Sequence, residues 1–89
     1  MNFYIGQFVF SKMGRDTGLC FIIFKLEDGF AYISDGSYRK IENLKKKKIK
    51  HLQPTKKIDF EIKSLIENNN YISNSDIKKA IKKYINSNI

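Results

Sequence analysis

The feature that most restricts the fold of this chain is the pair Asp28-Gly29, set between two apolar, β-branched and aromatic runs at residues 20–24 and 30–34. A two-residue connection between strands favours a type I′ turn, which needs positive φ at both central positions, and Asp-Gly accepts that conformation with little strain. The spacing therefore predicts a β-hairpin. Cys20-Phe21-Ile22-Ile23-Phe24 is apolar without interruption and reads as a strand covered on both faces. Gln7-Phe8-Val9-Phe10-Ser11 is the expected first strand, ending at the loop 13–18, and a second Asp-Gly pair, Asp35-Gly36, leads into a further short strand at residues 38–41. Strands this closely spaced predict a small barrel. Phe8, Phe10, Phe21, Phe24, Phe30 and Tyr32 are expected mostly in its core, because a barrel of this size fills itself with side chains.

After Pro54 the apolar period changes from strand to helix. Ile58, Ile62, Leu65 and Ile66 share one helical face, and Asn68-Asn69-Asn70 is a stop and turn. A second helix opens on Ser73 as N-cap, with Asp76 three residues on in a capping-box arrangement and Ile72 placed to staple against Ile77. Ile77, Ala80, Ile81, Tyr84 and Ile85 form its apolar face; Lys78, Lys79, Lys82 and Lys83 lie opposite. The fold class expected is thus β+α: a small barrel over residues 1–55, including a basic segment at 39–57, and a helical hairpin over 56–89 packed on the same domain. Eighty-nine residues leave no room for a second independent core.

The chain carries 17 Lys and Arg against 9 Asp and Glu, a net charge of +8, and the excess is concentrated. Residues 1–38 sum to −1 and residues 58–89 to +1, whereas residues 39–57 set Arg39, Lys40, Lys45, Lys46, Lys47, Lys48, Lys50, Lys56 and Lys57 against Glu42 alone. The codons of an AT-rich genome explain Lys in place of Arg; they do not explain base in place of acid. Such a run is either a solvated basic loop or a site for a polyanion, and four adjacent lysines repel one another unless something neutralises them. Phosphate backbones do so while releasing condensed counterions. On that reading, replacing Lys45, Lys46, Lys47 and Lys48 by Gln removes RNA association and leaves the fold intact.

Gly6, Val9, Gly14, Arg15, Asp16 and Gly18, followed by the apolar run at 20–24, place a glycine before an apolar strand, a tight Gly-x-Asp-x-Gly loop, and a second apolar strand. This pattern resembles the KOW motif. Tyr32-Ile33-Ser34-Asp35-Gly36, the basic run, Lys50-His51-Leu52-Gln53-Pro54-Thr55 and the helix start Ser73-Asn74-Ser75-Asp76-Ile77 extend the similarity over nearly the whole chain. They resemble small bacterial KOW-domain RNA-binding proteins, related to the large-subunit ribosomal proteins of archaea and eukaryotes that begin with such a barrel. The resemblance implies an SH3-like barrel that binds RNA, ribosomal RNA foremost, through the glycine loop and the basic surface beside it. KOW loops also contact protein in transcription elongation factors, so the alternative is an interaction module docking on RNA polymerase or a ribosomal protein.

The expected RNA contacts are Lys12, Arg15, Tyr38, Arg39, Lys40, Lys45, Lys46, Lys47, Lys48, Lys50 and His51, with Gly6, Gly14, Asp16 and Gly18 as structural residues of the loop. Gly14 and Gly18 supply positive φ, which puts Arg15 at an exposed tip and lets backbone amides approach a phosphate. Asp16 reads as an Asx-type turn former. Tyr38, beside Arg39 and Lys40, is placed to stack on a base. Lysine acts as a point charge, so phosphate neutralisation and shape recognition are expected ahead of base readout.

Nothing in the sequence recommends an enzyme. His51 is the only histidine and Cys20 the only cysteine, so no multi-cysteine zinc site or intrachain disulfide can form. Cys20 opens an apolar strand and reads as a buried small hydrophobe. No phosphate-binding P-loop or dinucleotide fingerprint occurs, and no cofactor or metal is expected. The longest apolar run falls far short of the ~20 residues of a membrane span, and Met1-Asn2-Phe3-Tyr4 lacks the basic start of a leader. A cytoplasmic monomer that does not engage a membrane is expected; a membrane-surface role for Lys78 to Lys83 is the weakest alternative.

Overall fold

The computed structural model describes residues 3–87; Met1 and Asn2, on which the expectation about a leader rests in part, lie outside it, as do the last two residues. Five strands come first: β1 (Gln7–Ser11), β2 (Cys20–Glu27), β3 (Phe30–Ser34), β4 (Lys45–Lys48) and β5 (Leu52–Ile58). Two helices follow, α1 (Phe60–Glu67) and α2 (Asn74–Ser87), and single 3-10 turns occupy Ile41–Asn43 and Ile49–His51. The strands form one antiparallel sheet in the order β4-β3-β2-β1-β5. The predicted hairpin is there, with Asp28 at φ 51° and Gly29 at φ 80° joining β2 to β3.

β2 is covered on both faces, as its uninterrupted apolar run predicts. Cys20 and Ile22 join Phe8 of β1 against Ile62 of α1 and Ile77 and Ile81 of α2. On the other face Phe21 and Ile23 pack with Val9, Ala31, Ile33 and Leu52. That second cluster is closed by Phe3 and Ile5 ahead of β1, by Leu26 of β2 and by Ile49 of the 3-10 turn. β4 and β5 are the two edges, about 19 Å apart if five strands lay flat at ~4.8 Å spacing. Only Ile49–His51 connects them, and a 3-10 turn rises ~2 Å per residue. The sheet must therefore curl until its edges approach, helped by bulges at Gln7/Val9 and Ile23/Lys25.

The curl stops short of the expected barrel: the sheet is not closed, and β4 and β5 share no ladder. β4 is only four residues long and passes into β5 through the 3-10 turn, so the two strands diverge without pairing. Two expectations are corrected. Residues 38–41 are not a strand, because Asp35 accepts from the amides of Ser37 and Arg39, both at 2.9 Å, and winds residues 35–39 into a compact loop. The partner of β3 is the lysine run itself, with Lys45 to Lys48 opposite Ile33 to Phe30. The strand-to-helix change also falls later than Pro54. Pro54 sits inside β5, opposite Val9, and Ile58 ends that strand. β5 is an edge, where a missing N–H costs no ladder bond on its open side.

The helices attach by local chemistry that was legible. Asp59 caps α1 through Ile62 N–H at 3.0 Å. Ser73 and Asp76 form the reciprocal capping box, at 3.1 and 3.0 Å, and Ile72 packs into the cluster that contains Ile77. Phe8 stacks on Tyr84 at 4.4 Å between ring centroids, seating the last turn of α2 on β1. Gly6 and Gly36 stand where other parts of the chain come too close for a side chain. A Cβ on Gly6 would lie 2.7 Å from Lys63 Cβ, and one on Gly36 would strike the carbonyl of Asn74.

Candidate nucleic-acid interface

The loop between β1 and β2 is built from the inside outward. Gly14 and Gly18 take φ of 94° and 88°, as expected, and Arg15 stands exposed between them. The amides of Thr17, Gly18 and Leu19 are accepted by the carbonyls of Gly14, Ser11 and Asp16. Those three donors are spent inside the loop. Asp16 is more than a turn former: its Oδ1 accepts from Ser11 Oγ at 2.7 Å and from Lys47 Nζ at 2.8 Å. Burial raises the Asp16 carboxyl pKa, but hydrogen bonds from Lys47 and Ser11 and the charge of Lys47 outweigh it and hold the group below its ordinary value.

Lys47 accordingly departs from its predicted role. On a strand, alternate residues face opposite sides, so the run splits: Lys45 and Lys47 point one way, Lys46 and Lys48 the other. The Lys47 side chain is 9% exposed, its stem buried and its ammonium bound to Asp16 and to the carbonyl of Met13. It ties β4 to the glycine loop. Replacing all four lysines therefore also removes the Lys47–Asp16 tie, which the sequence-based expectation of an intact fold did not take in.

Around this tie lies a groove of about 620 Å³ lined by Arg15, Leu19, Phe21, Tyr38, Arg39 and Lys45, with the Asp16–Lys47 pair in its wall. Its cations come from three separate segments: the β1–β2 loop, the Asp35-capped loop and β4. The capped loop holds Arg39 by its backbone, because the Arg39 carbonyl accepts from Ser34 Oγ at 2.6 Å and from the Asp35 amide at 3.1 Å. Tyr38 is left 81% exposed at the rim.

A second group adjoins the first. Lys12 N–H donates to the His51 carbonyl at 2.8 Å, which sets Lys12 beside the 3-10 turn that carries Lys50 and His51. Burial lowers the pKa of His51, and the charges of Lys50, Lys48, Lys47 and Lys12 lower it further.

Lys46 lies on the outer face of the sheet, its Nζ 4.5 Å from the Phe30 ring centroid and 6.0 Å from that of Tyr32; Lys25 covers Tyr32 from the other side at 5.2 Å. Phe30 and Tyr32 are thus half-buried under ammonium groups, not core residues. Lys40 is exposed beside the Ile41–Asn43 turn, where its charge and, more strongly, a hydrogen bond from Asn74 hold Glu42 below its ordinary pKa. Lys56 and Lys57 border a separate depression with Tyr84 and Ser87. Leu19 and Lys25 were missed in the sequence; the only signal was their position flanking the apolar run at 20–24.

Cys20 is buried, and that burial, with the charge of Asp35 behind it, pushes its thiol up to about 12. Among the described residues no group of three or more His, Cys, Asp or Glu could hold a metal ion, and no helix is long and apolar enough to cross a membrane. No protein-family model matches the chain, and no curated protein matches it.

Proposed function

We propose that this chain is a non-enzymatic RNA-binding protein of the translation apparatus, engaging structured RNA, ribosomal RNA foremost, by neutralising phosphates along one end of its sheet. The observation that carries the reading is the convergence of Arg15, Arg39 and Lys45, drawn from separate segments, on one groove, next to a turn that Lys48 precedes, that contains Lys50 and that Lys12 adjoins. Carboxylates could have been interspersed to balance these charges. Instead Asp16, the one acid in the groove wall, is already paired with Lys47. Five antiparallel strands curled until one short turn joins their edges also suit the SH3-like barrel that the KOW resemblance implies.

The mechanism is electrostatic and salt-sensitive. If Arg15, Arg39, Lys45, Lys48 and Lys50 each meet one phosphate, log affinity for RNA falls with log salt at a slope of roughly −3.5 to −4.5. Fluorescence anisotropy with a ribosomal RNA fragment at several salt concentrations measures it. An affinity indifferent to salt would sink the mechanism. Capture of RNA polymerase or a ribosomal protein that persists when Lys45, Lys48 and Lys50 are changed to Gln would favour the protein-docking alternative.

A further inference from the structure

We infer that the groove between the glycine loop and the Tyr38–Arg39 loop receives a single unpaired nucleotide, its base on Tyr38 and the apolar floor and its phosphate on the guanidinium groups. The inference rests on the RNA-binding reading and makes it more specific: the protein would prefer RNA with an unstacked base over a continuous duplex.

The lining supports one kind of occupant. Leu19, 38% exposed, gives the groove an apolar floor, and Phe21 lies fully buried beneath it. Arg15, Arg39 and Lys45 supply three cations, and the only carboxylate in the wall is neutralised by Lys47 at 2.8 Å. A ligand matching this surface needs a flat apolar part and an anionic part a short distance apart. An acidic peptide brings the charge but no planar surface for the ring of Tyr38. A nucleotide brings both in one unit, and a guanidinium fork can bind two phosphate oxygens at once. In A-form duplex the bases are stacked inside and the narrow major groove closes them off, so only a bulged, looped or terminal nucleotide can reach such a site.

The groove is also held in shape before anything binds. The Asp16–Lys47 tie fixes one wall to β4. The other wall is fixed by Asp35 and Ser34, and from below by α2: Asn74 Oδ1 accepts from the Ile41 amide at 2.8 Å while its Nδ2 donates to Glu42 at 2.8 Å. Tyr38 projects from a braced loop, so little ordering is needed for a base to stack on it.

The test compares two RNA duplexes of equal length, one fully paired and one carrying a single-nucleotide bulge, titrated against the full chain and its Tyr38→Leu and Tyr38→Phe variants. Tyr38 is exposed, and an unchanged melting midpoint shows that each variant is folded. The expected result is about tenfold tighter binding of the bulged RNA, a preference abolished by Tyr38→Leu and retained by Tyr38→Phe. Equal, salt-sensitive binding of both RNAs, or a Tyr38→Leu loss shared equally between them, overturns the nucleotide site and leaves the RNA-binding function standing. Binding of neither RNA, with a Tyr38-dependent affinity for a polyglutamate peptide, overturns both and assigns the groove to an acidic protein.

Discussion

Two sets of four lysines, Lys45–Lys48 on β4 and Lys78, Lys79, Lys82 and Lys83 on α2, show how the same residue takes different work from different backbones. On α2 the 3.6-residue period puts all four on the solvent side, and each is exposed. On β4 the two-residue period divides them: Lys47 is drawn into a buried pair with Asp16, Lys46 lies over Phe30, and Lys45 lines the groove. A contiguous charge run in sequence is therefore not one surface in space. The helical lysines are all exposed, whereas two of the strand lysines, Lys46 and Lys47, are engaged within the fold.

The largest expected effect follows from RNA binding. Changing Lys45, Lys48 and Lys50 together to Gln should weaken binding of a ribosomal RNA fragment about a hundredfold at low salt and make the log-log salt slope shallower by roughly 2 to 3. The matching Gln set at Lys78, Lys79, Lys82 and Lys83 should leave the slope unchanged; an equal loss there would erase the contrast between the two regions.

Stability should divide them in the same way. Lys47→Gln leaves Asp16 half-buried without its cation, at a cost of about 2 kcal/mol and roughly 10 °C in the melting midpoint. Lys46→Gln and the four helix substitutions should stay within about 0.5 kcal/mol. Asp16→Asn combined with Lys47→Met should recover part of the loss, because neither partner is then a stranded charge. Since Asp16 ionises more readily folded than unfolded, its contribution is full above the ordinary carboxyl pKa and disappears as pH falls through the lower folded value. Acid unfolding of the Asp16→Asn chain should lack that component.

A smaller effect tests the helix side. Ser73→Ala removes the hydroxyl that accepts the Asp76 amide and should cost about 1 kcal/mol in chemical denaturation, without altering RNA affinity. Smallest is the histidine. By NMR titration His51 should ionise below its ordinary 6.5 in the free protein, rise when Lys50→Gln removes a neighbouring charge, and rise again on binding RNA. A midpoint above 6.5 in the free chain would contradict the crowding of lysines around it.

Several parts of this arrangement could be read locally. The Asp28-Gly29 hairpin, the doubly covered β2 and the Ser73/Asp76 cap each depend on residues within a few positions of one another, and each is found as expected. β4 could not be read that way. Four lysines carry no apolar alternation, and they form a strand because β3 offers an open edge that residues 45–48 can reach. Pro54 gave a breaker signal that is true in isolation and harmless on an edge strand. Phe30 and Tyr32 alternate like core residues, but the face they occupy is covered by Lys25 and Lys46 instead of a helix.

The sequence by itself determined that this chain makes a β+α domain with its positive charge in one central block, since turn chemistry, capping and composition act over short distances. Which cations stay available was decided only in three dimensions. Asp16 and Lys47 are 31 residues apart, and nothing local joins them. Burial of that pair, and the meeting of Arg15, Tyr38, Arg39 and Lys45 around it, result from the curl of the sheet and the alternation of side chains along its edge.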